Sequence, residues 1–327
     1  MNGAPVELVV IIVNYRVPQL TLRCIESLLD DSADMPPFQI HVIDNHSGDD
    51  SPRIIGDYLD EKGLRERVLL TPSPINGGYA YGNNIGLRRV LEMAQRPRHV
   101  WLLNPDTQVY PGAARHLIEF LDAHPRAGMA GSRLEDADGT GQISAFRFPS
   151  PASEFLGAMQ VGVLDRLFAE RLVPVPLQSQ PHRADWLAGA SLMMKTALVE
   201  DIGLMDEDYF LYFEEVDYCL QARRRGWEIW YVPRSRVHHV VGAATGISDL
   251  RKKAPRRPQY WFDSRRRFFL KNYGKGTALL ADLAAISGYA LWRVRRRIQA
   301  KPDLDPPHFL QDLLANSVFL RGASLEH

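Results

Sequence analysis

The feature that most constrains this 327-residue chain is an alternation in its first half. Apolar, β-branched runs at 8–13, 39–43, 68–70 and 100–103 are separated by stretches of helical spacing at 19–29, 52–62, 81–95 and 112–123. Continuous apolar strands alternating with amphipathic helices are the pattern of a parallel sheet covered on both faces. The expected fold class is α/β. Three of the strands stop on polar groups: at Asn14, at Asp44-Asn45, and at Asn104-Pro105-Asp106. Ligands of open parallel sheets bind beyond the carboxyl ends of the strands. Asn, Asp and Pro also favour ordinary turns, but three such ends in one sheet predict a shared crevice.

The second half is less regular. Residues 131–181 are rich in Gly, Pro and Ser and read as extended segments with a mobile loop. A buried apolar pattern resumes at 186–195, a helix that opens on acids spans 213–225, and a strand covers 228–232. After Val241 come Gly, Ala and Thr, then basic amphipathic helices to about Ala300, then a loosely attached tail. The expected organisation is a domain over 1–246, a basic helical region over 247–300 and a tail over 301–327.

Composition narrows the function classes. A formal net charge of zero argues against whole-protein steering toward nucleic acid, and none is expected as a partner. The balance is uneven, however: residues 251–300 hold fourteen Lys and Arg against Asp263 and Asp282. That asymmetry suggests an anionic surface near the C-terminus. Two cysteines without a CxxC pair predict a reducing compartment, hence the cytoplasm. No signal peptide is expected. The longest apolar stretch, 277–292, contains Asp282 and falls short of the ~20 residues a membrane span needs.

Chemistry concentrates in three places. Asp44 has the valence to accept from a ribose hydroxyl or from the N3–H of uracil or thymine. The segment Asn76-Gly77-Gly78-Tyr79-Ala80-Tyr81-Gly82-Asn83-Asn84-Ile85-Gly86 lets backbone approach a ligand and opens a helix whose N-terminus attracts phosphate. It is neither GxGxxG nor a Walker loop. Asp106 could ligate a hard cation such as Mg²⁺ or Mn²⁺ that bridges a diphosphate, with an imidazole from His238-His239 after the 228–232 strand. The third place is Glu214-Glu215-Val216-Asp217, between Tyr212-Phe213 and Tyr218. The helix dipole accounts for one or two of these acids. A carboxylate among aromatic rings also gains proton affinity and can serve as general base for a sugar hydroxyl.

Together these residues resemble family-2 glycosyltransferases of the GT-A fold, rhamnosyltransferase-like branch, over about 6–246. The matching motifs are Val13-Asn14-Tyr15, Ile43-Asp44-Asn45-His46-Ser47, Asn76-Gly77-Gly78-Tyr79, Gly82-Asn83-Asn84-Ile85-Gly86, Leu103-Asn104-Pro105-Asp106-Thr107, Gly189-Ala190, Phe213-Glu214-Glu215-Val216-Asp217 and His239. The resemblance implies that Asn14, Tyr15, Asp44, Asn76, Gly78, Asn84, Asn104 and Asp106 bind the nucleotide sugar. Asp106 is then the surviving acid of the family's DxD motif, with Asn104 in the place of the first. The resemblance also makes His239 the late metal ligand, in an H-x-x-G pattern with Gly242, and Glu215 the base. Family members end that pattern with Ser-Thr, where this chain has Ala244-Thr245. Trp186, Gly189, Ala190, Glu214 and Asp217 fall on the acceptor side.

The implied reaction is an inverting, metal-dependent transfer of a sugar to a glycan or lipid-linked acceptor in cell-surface polysaccharide synthesis. The implied donor is dTDP-L-rhamnose, with UDP-sugars as an alternative because Asp44 would read both pyrimidines alike. A sugar nucleotidyltransferase would need a glycine-rich, basic triphosphate loop, and Asn14-Tyr15-Arg16-Val17-Pro18 lacks the glycines. A non-catalytic nucleotide-sugar-binding scaffold at the membrane is the other alternative. Arginines interleaved with Trp261, Phe268, Phe269, Tyr289 and Trp292 suggest peripheral association of 251–300 with the inner face of the cell membrane. The contrary reading has the same helices packed on the protein.

Overall fold

A computed structural model of the chain describes residues 5–240 and 253–325. In chain order its first elements are β1 (Leu8–Asn14), α1 (Pro18–Asp30), β2 (Phe38–Asp44), α2 (Ser51–Glu61), β3 (Val68–Pro72), α3 (Gly78–Glu92), β4 (His99–Leu103), β5 (Thr107–Val109) and α4 (Ala113–Ala123). Then follow β6 (Ala127–Glu135), β7 (Gly141–Gln142), β8 (Ala145–Phe146), α5 (Pro151–Met159), α6 (Gly162–Leu167), β9 (His182–Ala184), β10 (Trp186–Leu187) and β11 (Ser191–Lys195). Last come α7 (Thr196–Ile202), α8 (Glu214–Arg224), β12 (Glu228–His239), α9 (Gln259–Ile298), α10 (Phe309–Ala315) and α11 (Val318–Arg321).

These elements group into two compact units. The first takes the described residues of Met1–Phe146, Pro176–Phe210 and Glu214–Gly246; the second takes those of Arg147–Val175, Leu211–Phe213 and Ile247–His327.

The first unit is a sheet of order β3-β2-β1-β4-β11-β6-β12-β5. β3, β2, β1 and β4 run parallel, as the apolar alternation predicts. β11 then enters antiparallel between β4 and β6, while β6 and β12 pair in parallel. The strands are buried because both faces are apolar: Leu8, Val10 and Ile12 meet Leu22, Ile25 and Leu28 of α1 in the main core.

Two sequence expectations change here. β6 was hidden by its glycines, which the spacing treats as breakers. A Cβ on Gly128 would lie 2.4 Å from Leu198 Cδ1, so packing demands the glycine. In addition, β12 does not stop at Val232. It continues through a register shift between Val232 and Arg236 and ends at His239, opposite Thr107 of β5. Pro233 sits at this irregularity, where a missing N–H is tolerated.

The second unit is helical. The Pro/Ser-rich stretch read as loop contains α5, started by a reciprocal capping box between Ser150 and Ser153 with Pro151 in its first turn. α5 packs against α9 at Gly288, where a Cβ would stand 2.6 Å from the Phe155 carbonyl oxygen. α9 is kinked at Gly274, whose φ is 77°. Buried Arg265 donates to Asp282 at 2.6 Å and to Glu154 at 2.8 Å, and Asp282 also accepts from the Val318 N–H at 2.6 Å. Residues 309–321 are therefore packed onto α9, with Leu313 and Val318 buried, and do not form a loose tail. The aromatic face expected to meet a membrane turns inward: Phe268, Phe269, Tyr289 and Trp292 are all buried.

Candidate active site

The ends of β1 and β2 are cross-linked before any ligand is considered. Asn14 and Asp44 are register partners. The Asp44 carboxylate accepts from Asn14 Nδ2 at 2.7 Å, from Ser47 Oγ at 2.5 Å and from the Ser47 N–H at 3.1 Å. An ionised carboxylate has about four acceptor sites, so about one is left. Asn76 Oδ1 accepts from Asn45 Nδ2 at 3.0 Å and from the Gly78 N–H at 3.2 Å, which holds the glycine-rich turn to the end of β2. Gly78 has φ +87°, and a Cβ there would lie 1.8 Å from the Phe210 carbonyl oxygen. This glycine makes a backbone-to-backbone approach possible, and the next N–H, of Tyr79, donates to that same oxygen at 2.9 Å.

Tyr79 is the centre of the arrangement. Its hydroxyl donates to the Gly189 carbonyl at 2.7 Å. Burial pushes the phenol far above its usual range, and the negative charges of Glu215, Glu214 and Asp106 push it further. Acids from α8 and from the β4–β5 turn therefore act on one buried ring. Tyr79 lies within the Asn76-Gly77-Gly78-Tyr79 motif, but the sequence alone assigns it no role, because a buried tyrosine looks like core.

At the start of α8, burial raises Glu215 to about 7. Glu214 lies well above the carboxylate range for the same reason, aided by its charged neighbour. Glu214 Oε2 and Glu215 Oε2 are buried without a hydrogen-bond partner among the described residues. Tyr212 and Phe213, just before the helix, both take left-handed φ (71° and 68°), an uncommon conformation for bulky residues that clusters at functional sites.

Asp106 leaves β4 through Pro105, and the β5–β12 pairing brings His239 beside it. Val240 N–H donates to the Asp106 carbonyl at 3.0 Å, and His239 Nε2 stands 3.6 Å from Asp106 Oδ1. That Oδ1 is buried and has no hydrogen-bond partner among the described residues. Burial raises Asp106 and lowers His239, which keeps the imidazole neutral and ready to ligate. Gln142, which sequence reading missed, accepts from His239 Nδ1 at 3.0 Å and fixes the ring with Nε2 toward the acid. Nothing in the sequence around Gln142 marks it; only the β6–β7 pairing brings it there. Among the described residues no group of three or more His, Cys, Asp or Glu is placed to hold a metal. The fit is thus to a cation with one oxygen and one nitrogen ligand from the protein, and Asp106 with His239 suits a hard divalent ion.

Other expected site residues have visible local employment. Asn84 donates to the Met205 carbonyl at 2.8 Å and accepts from the Met205 N–H at 3.0 Å, so its amide ties α3 to the 205–207 segment. Asn104 N–H donates to the Ala190 carbonyl at 3.0 Å, while its own carbonyl takes Thr107 Oγ1 at 2.7 Å. Trp186 stacks on Phe146 with centroids 4.1 Å apart, Ala190 is buried in the core, and Asp217 is buried near the Tyr209 hydroxyl. Tyr15 is surface-exposed beneath Arg16. Gly242, Ala244 and Thr245 lie outside the described residues. Burial pushes the Cys24 and Cys219 thiols up to about 12, which makes both unreactive.

Residues 9–166 match the family described as Glycosyl transferase family 2. The N-acetylglucosaminyl-diphospho-decaprenol L-rhamnosyltransferase of Mycobacterium tuberculosis is 29% identical over 222 residues, covering 64% of this chain and 69% of that protein. Rhamnosyltransferase WbbL of Escherichia coli is 24% identical over 168 residues, covering 50% of this chain and 60% of that one. Among solved structures, the mannosyltransferase PcManGT of Pyrobaculum calidifontis superposes with a TM-score of 0.53 at 15% identity, over 91% of this chain and 78% of that one. The fold is that of GT-A glycosyltransferases. The chain is therefore a glycosyltransferase, similar over residues 9–166 to glycosyl transferase family 2, and its relatives include rhamnosyltransferases.

Proposed function

We propose that the chain transfers a sugar from a nucleoside diphosphate to a hydroxyl of a glycan or lipid-linked acceptor, by a single inverting displacement. Glu215 takes the proton of the acceptor hydroxyl while that oxygen bonds to the anomeric carbon, and the bond from that carbon to the diphosphate breaks. The observation that supports this reading is a pair of buried carboxylate oxygens that have no hydrogen-bond partner among the described residues, Glu215 Oε2 at the start of α8 and Asp106 Oδ1 at 3.6 Å from His239 Nε2; the charges of both acids bear on the buried Tyr79 phenol. A base near neutrality, together with an acid suited to a diphosphate–metal complex, is what this displacement needs.

Asp106 and His239 would hold Mg²⁺ or Mn²⁺. The cation, when bound, supplies counter-charge for the departing diphosphate. PcManGT was solved with GDP-mannose and Mn²⁺, which supports a divalent ion in this fold. Asp44 would accept from the pyrimidine N3–H, with Asn14 and Ser47 keeping its carboxylate in place. The names of the relatives favour L-rhamnose as the sugar and a polyprenyl-diphosphate-linked sugar as acceptor, and the sequence resemblance implies dTDP as the carrier.

The test is a panel of dTDP-, UDP- and GDP-sugars, read by nucleotide release with Mn²⁺ or Mg²⁺ and a lipid-linked acceptor. Acceptor-stimulated release of dTDP from dTDP-L-rhamnose is expected. Release from no donor at all would overturn the reading, and release from UDP-sugars alone would correct the sugar.

A further inference from the structure

Beyond its kink, α9 is apolar on two opposed faces. One carries Ala281, Ala285, Tyr289 and Trp292, all buried within the helical unit. The other carries Leu280, Leu283, Leu291, Val294 and Ile298, each more than half exposed. At ~100° per residue these five fall in one stripe about 80° wide, and at ~1.5 Å per residue it is about 27 Å long. No helix among the described residues is long and apolar enough to cross a membrane.

The last two turns of the stripe are flanked by arginines. Val294 also lines a surface cavity of about 590 Å³, with Lys253, Arg293, Arg297 and His308 in its wall. The cavity's two carboxylates are engaged: Asp303 pairs with Arg296, and Asp305 accepts from Trp292 Nε1 at 3.0 Å. Between 279 and 298 the only acid is Asp282, which is buried and committed to Arg265 and to the Val318 N–H.

We propose that this face of α9 is a docking surface for an anionic lipid bilayer. The aliphatic stripe lies in the boundary between headgroups and acyl chains, and the cavity takes a lipid phosphate. Aliphatic side chains flanked by cations, on a helix not apolar enough to span, match the requirements of an interfacial helix. Charge decides between a bilayer and a second copy of the chain. A copy meeting this face with its own brings the same arginines and two carboxylates already engaged by Arg296 and Trp292, whereas anionic headgroups compensate every arginine. The basic C-terminal region thereby divides: Arg256, Arg265 and Arg296 are spent on Asp312, Asp282 and Asp303, and Arg293 and Arg297 face the cavity.

The test is flotation of the full chain with vesicles of phosphatidylcholine alone or with about one-third phosphatidylglycerol. Binding to the anionic vesicles is expected to exceed binding to the neutral ones, and to weaken as salt is raised. The double variant V294E/I298E should lose at least ~tenfold of that binding, and R293E/R297E should lose it by a similar factor. Val294, Ile298 and Arg297 are exposed and Arg293 is half-buried beside Tyr289, so circular dichroism, expected to match the parent, checks that each variant folds. Equal binding to both vesicle types, or full binding by either variant, would overturn the proposal. So would a parent dimer, seen by light scattering, that V294E/I298E dissociates without any vesicle binding. Hydrolysis of a soluble nucleotide sugar, followed alongside, should be unchanged in both variants, which separates failure of this surface from failure of the transfer reaction.

Discussion

Gln142 grips His239 at both ends of the residue: its side-chain oxygen accepts from Nδ1 at 3.0 Å, and its amide donates to the backbone carbonyl at 2.9 Å. The imidazole is thereby held in one tautomer and one orientation, with Nε2 presented to Asp106. Outer-shell partners of this kind are worth about 10- to 100-fold in metal affinity. Gln142→Ala should weaken Mn²⁺-supported binding of a nucleoside diphosphate by such a factor, measured by calorimetry. Binding without metal and the unfolding midpoint should change little.

Replacing Asp106 by Asn should have a larger effect on the same measurement. The carboxylate that pairs with His239 among the described residues would be gone, and addition of Mn²⁺ should no longer improve donor affinity. A donor affinity that still rises with Mn²⁺ would remove Asp106 from the ligand set.

Glu215→Gln should lower transfer by about 10²- to 10⁴-fold while donor binding is retained. Burial raises this carboxyl to about 7, so its basic form appears only as pH rises through that value. Transfer by the parent should therefore climb between about pH 6 and 8, and the residual activity of the variant should lack that limb. Stability runs the other way. Between the ordinary carboxylate range and about 7 the folded state holds a proton that the unfolded chain has released, so this group's contribution falls as pH rises across that window. The variant should lose that part of the slope in urea titrations at pH 5 and pH 8.

Gly78→Ala should destabilise the first unit. A Cβ would meet the Phe210 carbonyl oxygen at 1.8 Å, and the positive φ adds strain. Backbone strain alone is about 1–3 kcal/mol, and separating Tyr79 N–H from that oxygen adds a lost hydrogen bond. A fall of at least ~2 kcal/mol in urea unfolding is expected.

Asp282→Ala should destabilise the helical unit by about 3–5 kcal/mol, because it strips one partner from buried Arg265 and the cap from α11. Differential scanning calorimetry should show the loss in the transition of that unit.

Much of the first unit is legible in the sequence, and the reason is periodicity. β1 and β2 end on Asn14 and Asp44, β4 is followed directly by Asn104, and all three are apolar on both faces, so run length and strand end can both be read directly. Where side-chain periodicity carries no information, reading fails. Gly128 and Gly131 in β6 are small because Leu198, Trp227 and Leu187 need the room, and a glycine pattern cannot reveal its neighbours. α5 is short and begins on Ser150-Pro151, which resembles a loop unless the reciprocal serine cap is noticed. In the site, Glu215, Asp106 and His239 announce themselves by chemistry, while Gln142 and Tyr79 act through distant partners that no local pattern names. The aromatics of α9 misled for the opposite reason: their spacing is helical, but the packed face is theirs and the outward face belongs to the leucines.

The shift in β12 between Val232 and Arg236 has a consequence for how this site tolerates change. Side chains alternate along a strand, so His238 and His239 point to opposite faces, and His238 lines a separate cavity with Ser27 and Tyr110. One residue added around Pro233-Arg234-Ser235 would slide His238 into the place beside Asp106, and one residue removed would bring Val240 there. Insertions and deletions at this bend are therefore substitutions in disguise: gaining a residue preserves an imidazole, and losing one replaces it with a hydrocarbon.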